Sequence, residues 1–345
     1  MTPLLRIISA PSLYSKLLNR LQGYYWCLVS ISLAVIAKTL RLRRSVNSRE
    51  GSDSRMPVGG DERRYWLLNM VNRHGYSVRE VGLATGFPDA LVRSMIDRYC
   101  ESTEFARTPG NGGVLSIYPY PGGRHPRKGF QDGALSPQRE TKVSIFSPWD
   151  PRSYVVVDVP EAIFSNLGLL YLAHTHIPTI WDKRGIRLDP LEWCRDGSNS
   201  LSIRRQLPGG IEFGTRVRAD TMSVEFQQWL INRSSSSLTR LRVQNCVLLN
   251  RLSGFEVQSN RNKIFRAPYV ACESAQRNRW IIVAWDPCYR VWANPLCPCI
   301  HSDSYFPDCK PGERTEIKGR VWFHIGENIE NEFRRLDASG WRSSC

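Results

Sequence analysis

Residues 222–249 read MSVEFQQWLINRSSSSLTRLRVQNCVLL. On one side of the serine tract Met222, Val224, Phe226 and Leu230 fall on alternate positions; on the other, so do Leu241, Val243, Val247 and Leu249. A period of two is the signature of a strand with one buried face, and the polar NRSSSS at 232–237 is turn chemistry. The stretch therefore predicts two long strands joined by a short loop. Outward from it further strands are read at 114–118, 141–146, 154–158, 168–173, 200–204, 211–217, 279–285 and 317–323, with turn signals DGSN at 196–199 and PGG at 208–210. Many strands with short connections predict a mainly β protein, an antiparallel β-sandwich over 114–325. Residues 326–345 are a C-terminal helix and tail, with Ile329, Phe333 and Leu336 on one helical face.

Upstream the period changes. Residues 56–102 predict three helices: 61–75 capped by Asp61 and stopped at Gly75, a second opened by the capping box Ser77-Val-Arg-Glu80 and stopped at Gly86, and a third from Pro88 to Tyr99. The spacing of Val81, Gly82, Gly86, Phe87, Val92 and Met95 is helix-turn-helix-like. Residues 103–113, rich in Gly and Pro, form a linker.

The net charge of +15 is unevenly spread: residues 1–55 carry nine Lys/Arg against two Asp/Glu, residues 56–112 seven of each. A nucleic-acid reader needs a surplus of Lys/Arg at its contact surface, and the third helix sets Arg93 and Arg98 against Asp89 and Asp97. Nucleic acid is therefore not the expected partner. The leader 1–55 contains one apolar run, 24–37, which is shorter than the about 20 residues of a spanning helix. A start at Met56 would leave it outside the folded protein. The expected location is the cytoplasm, with membrane association only if 24–37 inserts; the basic residues after the run would then keep the body inside.

The stretch 229–249 resembles the core strand pair of galactose-mutarotase-like supersandwich domains, as a pattern over about 140–325. A further resemblance, over most of 60–340, is to an uncharacterised bacterial protein family, carried by YPYPGGRHPR (118–127), AHTHIPTIWD (173–182) and WANPLCPCIHSD (292–303). The first implies a supersandwich fold; no mutarotase motif aligns residue by residue, so no catalytic residue carries over. The second implies that the span folds as one piece and assigns no chemistry.

Three groups of residues could carry chemistry. His174 and His176 follow the apolar run 169–173, and strand parity sends both imidazoles to one face, an arrangement able to hold a divalent metal such as zinc. A third ligand would come from His125, Glu192, His301 or Asp303. The competing reading packs one histidine in the core and leaves the other in a metal-free polar pocket. In CPCIHSD (297–303), one residue separates the thiols and no second Cys pair lies near, which argues against a zinc knuckle. The prolines instead predict a rigid loop presenting His301 and Asp303, with Cys309 packed or bonded to a distant thiol. Finally, Trp181 and Trp292, with Asn262, Lys263 and Arg290, combine aromatic faces and hydrogen-bonding groups suited to a sugar or another small polar ligand. Arg124, His125 and Arg127, in a Gly/Pro-rich loop, suit a carboxylate or phosphate.

No phosphate-binding loop, nucleophile elbow, His-Glu-x-x-His or dinucleotide fingerprint occurs. The leading expectation is a carbohydrate-binding or carbohydrate-processing protein with His174, His176, His301 and Asp303 as candidate acid/base groups. Two alternatives stand beside it: a metal-dependent enzyme built on His174 and His176, and a DNA-binding regulator with a ligand-sensing sandwich.

Overall fold

The computed structural model describes residues 54–100, 113–122, 139–173, 177–295 and 297–342, and among these described residues are fifteen strands and four α-helices. Two antiparallel sheets face each other. The first runs β1 (Ile117–Pro119), β2 (Lys142–Phe146), β3 (Tyr154–Ser165), β9 (Arg242–Leu248), β14 (Cys299–Tyr305), β13 (Cys288–Trp292), with β4 (Gly168–Leu172) paired to the far half of β3. The second runs β10 (Lys263–Arg266), β11 (Tyr269–Glu273), β12 (Arg279–Asp286), β15 (Arg314–Ile325), β8 (Ser223–Asn232), β7 (Ile211–Ala219), β6 (Ser200–Leu207), β5 (Cys194–Arg195). The two strands of 222–249 are thus not a hairpin: β8 lies in one sheet and β9 in the other, and the serine tract crosses between layers.

Their alternation is nevertheless what builds the core. Val224, Phe226 and Leu230 of β8 and Val243 and Val247 of β9 belong to one buried cluster between the sheets, filled by Phe213, Trp285 and Phe323. Each such side chain contributes roughly 1.5–3 kcal/mol on burial. Gly319 is required by this packing, since a Cβ there would sit 2.3 Å from Trp285; on the outer face of the same sheet Gly214 makes room for Trp229 in the same way, at 2.2 Å.

Helices cover the outer faces. α1 (Gly60–Leu68), α2 (Val78–Thr85) and α3 (Asp89–Tyr99) enclose Trp66, Leu67, Met70, Val81, Phe87 and Val92. Ser77 and Glu80 form the expected capping box, and Gly86 ends α2 in the left-handed region (φ 78°). The long first helix stops earlier than predicted: a π-helical turn, Asn69–Arg73, follows α1. There the Asn69 side chain donates to the Pro119 carbonyl (3.0 Å), and His74 reaches Ser144 on β2 (2.7 Å), so the helix end is fitted to the sheet. Residues 52–345 form one compact unit, with the helices hydrogen-bonded to the sandwich. At the other face, α4 (Ile329–Ala338) lays Phe333 on Tyr269, stacked at 5.1 Å, over a cluster containing Trp280, Trp322 and Trp341.

The rigid loop expected at 297–303 is largely strand. Proline restrains only residues up to Pro298; from Cys299 onward the chain pairs with β9 on one side and β13 on the other. The short or polar strands β5, β10, β11 and β13 were likewise invisible to a search for apolar alternation. Among the described residues no helix is long and apolar enough to cross a membrane; residues 24–37, like the linker 103–112, lie outside the described residues.

Candidate metal centre

Strand parity and register assemble the site. On β14, Cys299, His301 and Asp303 are spaced by two and share the outer face of the seven-stranded sheet. The antiparallel register sets Trp292 of β13 opposite His301, and Asp158 of β3 opposite Cys246 of β9. On β3 the register with β9 shifts between Asp158 and Ala162, a bulge that re-aims the intervening side chains and leaves Glu161 buried toward the same face.

Cys246, Cys299 and His301 are all buried, and their ligand atoms lie within 4.8 Å of one another. The Cys299 Sγ stands 3.3 Å from His301 Nε2. The other imidazole nitrogen, Nδ1, faces the Asn245 carbonyl at 2.9 Å and Glu161 Oε2 at 3.8 Å. Nδ1–H donating to that carbonyl leaves the Nε2 lone pair directed at the thiols, the tautomer a metal ligand needs. Trp292 stacks on the imidazole at 3.9 Å with 12° between planes, which fixes its tilt.

The surrounding groups hold these positions. Gln244 Nε2 donates to Glu161 Oε2 (2.7 Å). Arg290 Nε and Trp292 Nε1 both donate to Asp303 Oδ2 (2.7 Å each), while Asp303 Oδ1 is buried with no hydrogen-bond partner. Burial pushes the Asp303 carboxyl up despite the charge of Arg290. Hydrogen bonds from Cys246 and Cys297 hold the Cys299 thiol well below its ordinary value, against its burial and with help from the charge of His301. Burial alone would lower His301, but the Cys299 thiolate and its hydrogen bond raise it to about 9. Burial drives Cys246 well above the usual thiol range. At 2% exposure for each of Cys299 and His301, neither side chain is open to a bulky substrate.

The residues singled out in the sequence have separate fates. His301, Asp303, Arg290 and Trp292 come together here. Trp181 is a core residue, 3% exposed, its indole N–H donating to the Leu170 carbonyl (2.8 Å). Lys263 is buried with its ammonium on the Ser259 carbonyl. Arg124, His125, Arg127, His174 and His176 lie outside the described residues, so the His174/His176 centre is not placed. Asn262 borders a concavity of about 380 Å³ together with Ser259, Arg261, Glu273, Ser274 and Arg277. Among the described residues no disulfide forms; the Cys309 thiol donates to the Glu313 carbonyl (3.3 Å). Cys246, Gln244 and Glu161 were not anticipated. They sit 55 to 140 residues from His301 in sequence, and only the sheet order brings them near.

No protein-family model and no curated protein sequence matches the chain. Solved structures similar to it include a candidate aldose 1-epimerase of Escherichia coli K12, at 12% identity over 40% of this chain and 69% of that one (TM-score 0.30). A protein of Synechocystis sp. PCC 6803 is 14% identical over 62% of this chain and 92% of its own length (TM-score 0.31). Heparan sulfate lyase HepC of Pedobacter heparinus is 10% identical over 86% of this chain and 56% of that one (TM-score 0.33). Sugar-processing proteins are thus among the structural neighbours, but likenesses this low carry no argument about activity. The sandwich itself is read from the two sheets above.

Proposed function

We propose that this is a metal-binding β-sandwich protein in which Cys246, Cys299 and His301 hold a zinc-like divalent ion. The observation that carries the proposal is the convergence of two thiols and one correctly oriented imidazole nitrogen within 4.8 Å on two hydrogen-bonded strands. A tetrahedral zinc with Zn–S of about 2.3 Å and Zn–N of about 2.0 Å separates sulfur from nitrogen by roughly 3.5 Å, against 3.3 Å between Cys299 and His301 here. Thiolate and imidazole donors favour zinc or a similar borderline ion over magnesium or calcium. Glu161 and the Asn245 carbonyl serve the far side of the ring, and Trp292 its face. The bound protein is expected to carry about one equivalent of metal, lost on Cys299→Ser; full retention in that variant would refute the ligand set.

A second reading, a small polar ligand of the carbohydrate class, is supported by the concavity beside Asn262. Asn262 and Ser274 line it together with Arg261 and Arg277. Two guanidinium groups beside polar side chains suit a sugar acid better than a neutral sugar. Calorimetric titration with glucuronate and glucose tests this: binding of the acid that Asn262→Ala abolishes is expected, and no heat with either sugar would remove the reading.

A further inference from the structure

Three ligand atoms leave a tetrahedral ion one position short, and whether that position is closed decides what the metal does. Resting on the metal reading above, we infer that Cys297 is the fourth ligand, making a closed Cys₃His centre whose role is to clamp the sheet.

Placement supports it first. Cys297 is 4% exposed and packs in one cluster with Cys246, Cys299 and Leu248 on the outer face of the seven-stranded sheet. Its Sγ falls outside the 4.8 Å set formed by Cys246, Cys299 and His301, so the fourth position closes when the Cys297 side chain turns toward the ion from within that same buried cluster. The Cys299 amide donates to the Cys297 carbonyl (2.8 Å), a tight turn across Pro298, while the Leu249 amide donates to the Pro298 carbonyl (2.7 Å). Cys297 is thereby tied to the end of β9, the strand that carries Cys246. The one-residue spacing that argues against a zinc knuckle is no obstacle in this arrangement. The remaining thiol comes from a neighbouring strand and not from a second local pair.

Elimination supports it next. Glu161 faces Nδ1 of His301, the nitrogen turned away from the thiols, and its Oε2 accepts from Gln244. Asp303 is committed through Oδ2 to Arg290 and Trp292. Neither carboxylate belongs to the set of ligand atoms lying within 4.8 Å of one another. Cys288, the other nearby thiol of the same sheet, contacts Ser302 at 3.8 Å and lies away from the sulfur cluster. A closed site leaves no position for water or substrate, so the ion binds β9 to β14 and takes no part in catalysis.

X-ray absorption at the zinc edge on the full chain reads the ligand set directly, and Cys297→Ser tests it by loss. Three sulfurs and one nitrogen in the first shell are expected, with zinc affinity falling at least about 100-fold in Cys297→Ser, beyond the loss caused by removing a group that only orients a ligand. Cys288→Ser is expected to leave both readouts unchanged. Two sulfurs in the parent, or unchanged affinity in Cys297→Ser, would overturn the fourth ligand and leave the three-ligand proposal standing. Absence of zinc from the parent after loading would overturn both. The absorption measurement needs no variant, so misfolding of Cys297→Ser cannot hide the answer.

Discussion

The two outer faces of the sandwich are covered in opposite ways. Over the eight-stranded sheet, α4 packs an aromatic cluster of Tyr269, Trp280, Trp322, Phe333 and Trp341, stabilised by apolar area and ring contacts. On its outer face the seven-stranded sheet buries charge instead: Lys142 with Asp158 at 3.0 Å, then Glu161, His301 and Asp303. Burying such groups costs free energy unless each is paired, and an apolar surface would have covered the sheet at less cost. The difference teaches where to look for function: one face is covered chiefly by aromatic packing with Glu332 as a buried charge, and the other keeps several polar groups that packing does not require.

Substitutions on the two faces should therefore fail differently. The largest effect is expected from Asp158→Ala, which leaves the Lys142 ammonium buried and removes the acceptor for Thr141 (2.9 Å); breaking a buried pair on one side costs about 3–5 kcal/mol. Chemical denaturation should show that loss together with weakened metal binding, because Asp158 sits opposite Cys246 in the register. Leu336→Ala should cost about 2–5 kcal/mol by cavity formation, read the same way, yet leave metal content at the parental level. Equal metal loss in both variants would mean that the centre reports global stability and nothing local.

The smallest effect concerns pH. Burial pushes the Glu332 carboxyl up, but hydrogen bonds from Arg335 (2.6 and 2.8 Å) and the charge of His324 leave it below its ordinary value. A depressed folded pKa gives stability that is present above the unfolded value and fades as pH falls through the folded one. Glu332→Gln should thus destabilise the protein by a fraction of about 1 kcal/mol at neutral pH. That difference should vanish in strongly acidic buffer; persistence there would show that the carboxylate charge is not what matters.

Much of the architecture was legible because apolar residues report directly on buried faces: β6, β7 and β8 alternate, while β3 and β12, buried on both sides, show continuous apolar runs. The strand CIHSDSY did not, since its outward positions are Cys299, His301 and Asp303 and its inward ones include Ser302 and Ser304. The two-residue spacing applied to His174 and His176 was equally present there, but the prolines before it suggested a loop. The pairing of His301 with Cys246 was not legible at all. It depends on β14 choosing β9 across more than fifty residues, which is set by the order of strands in the sheet. Tryptophan proved ambiguous: Trp292 orders the centre, while Trp181 merely fills the core, and nothing local distinguishes them.

The most direct test of the account is metal content by mass spectrometry of the full chain after loading with zinc and dialysis, beside Cys246→Ser. About one equivalent in the parent and a trace in the variant is the predicted result. A parent without metal, or a Cys246→Ser protein that holds as much as the parent, would contradict it.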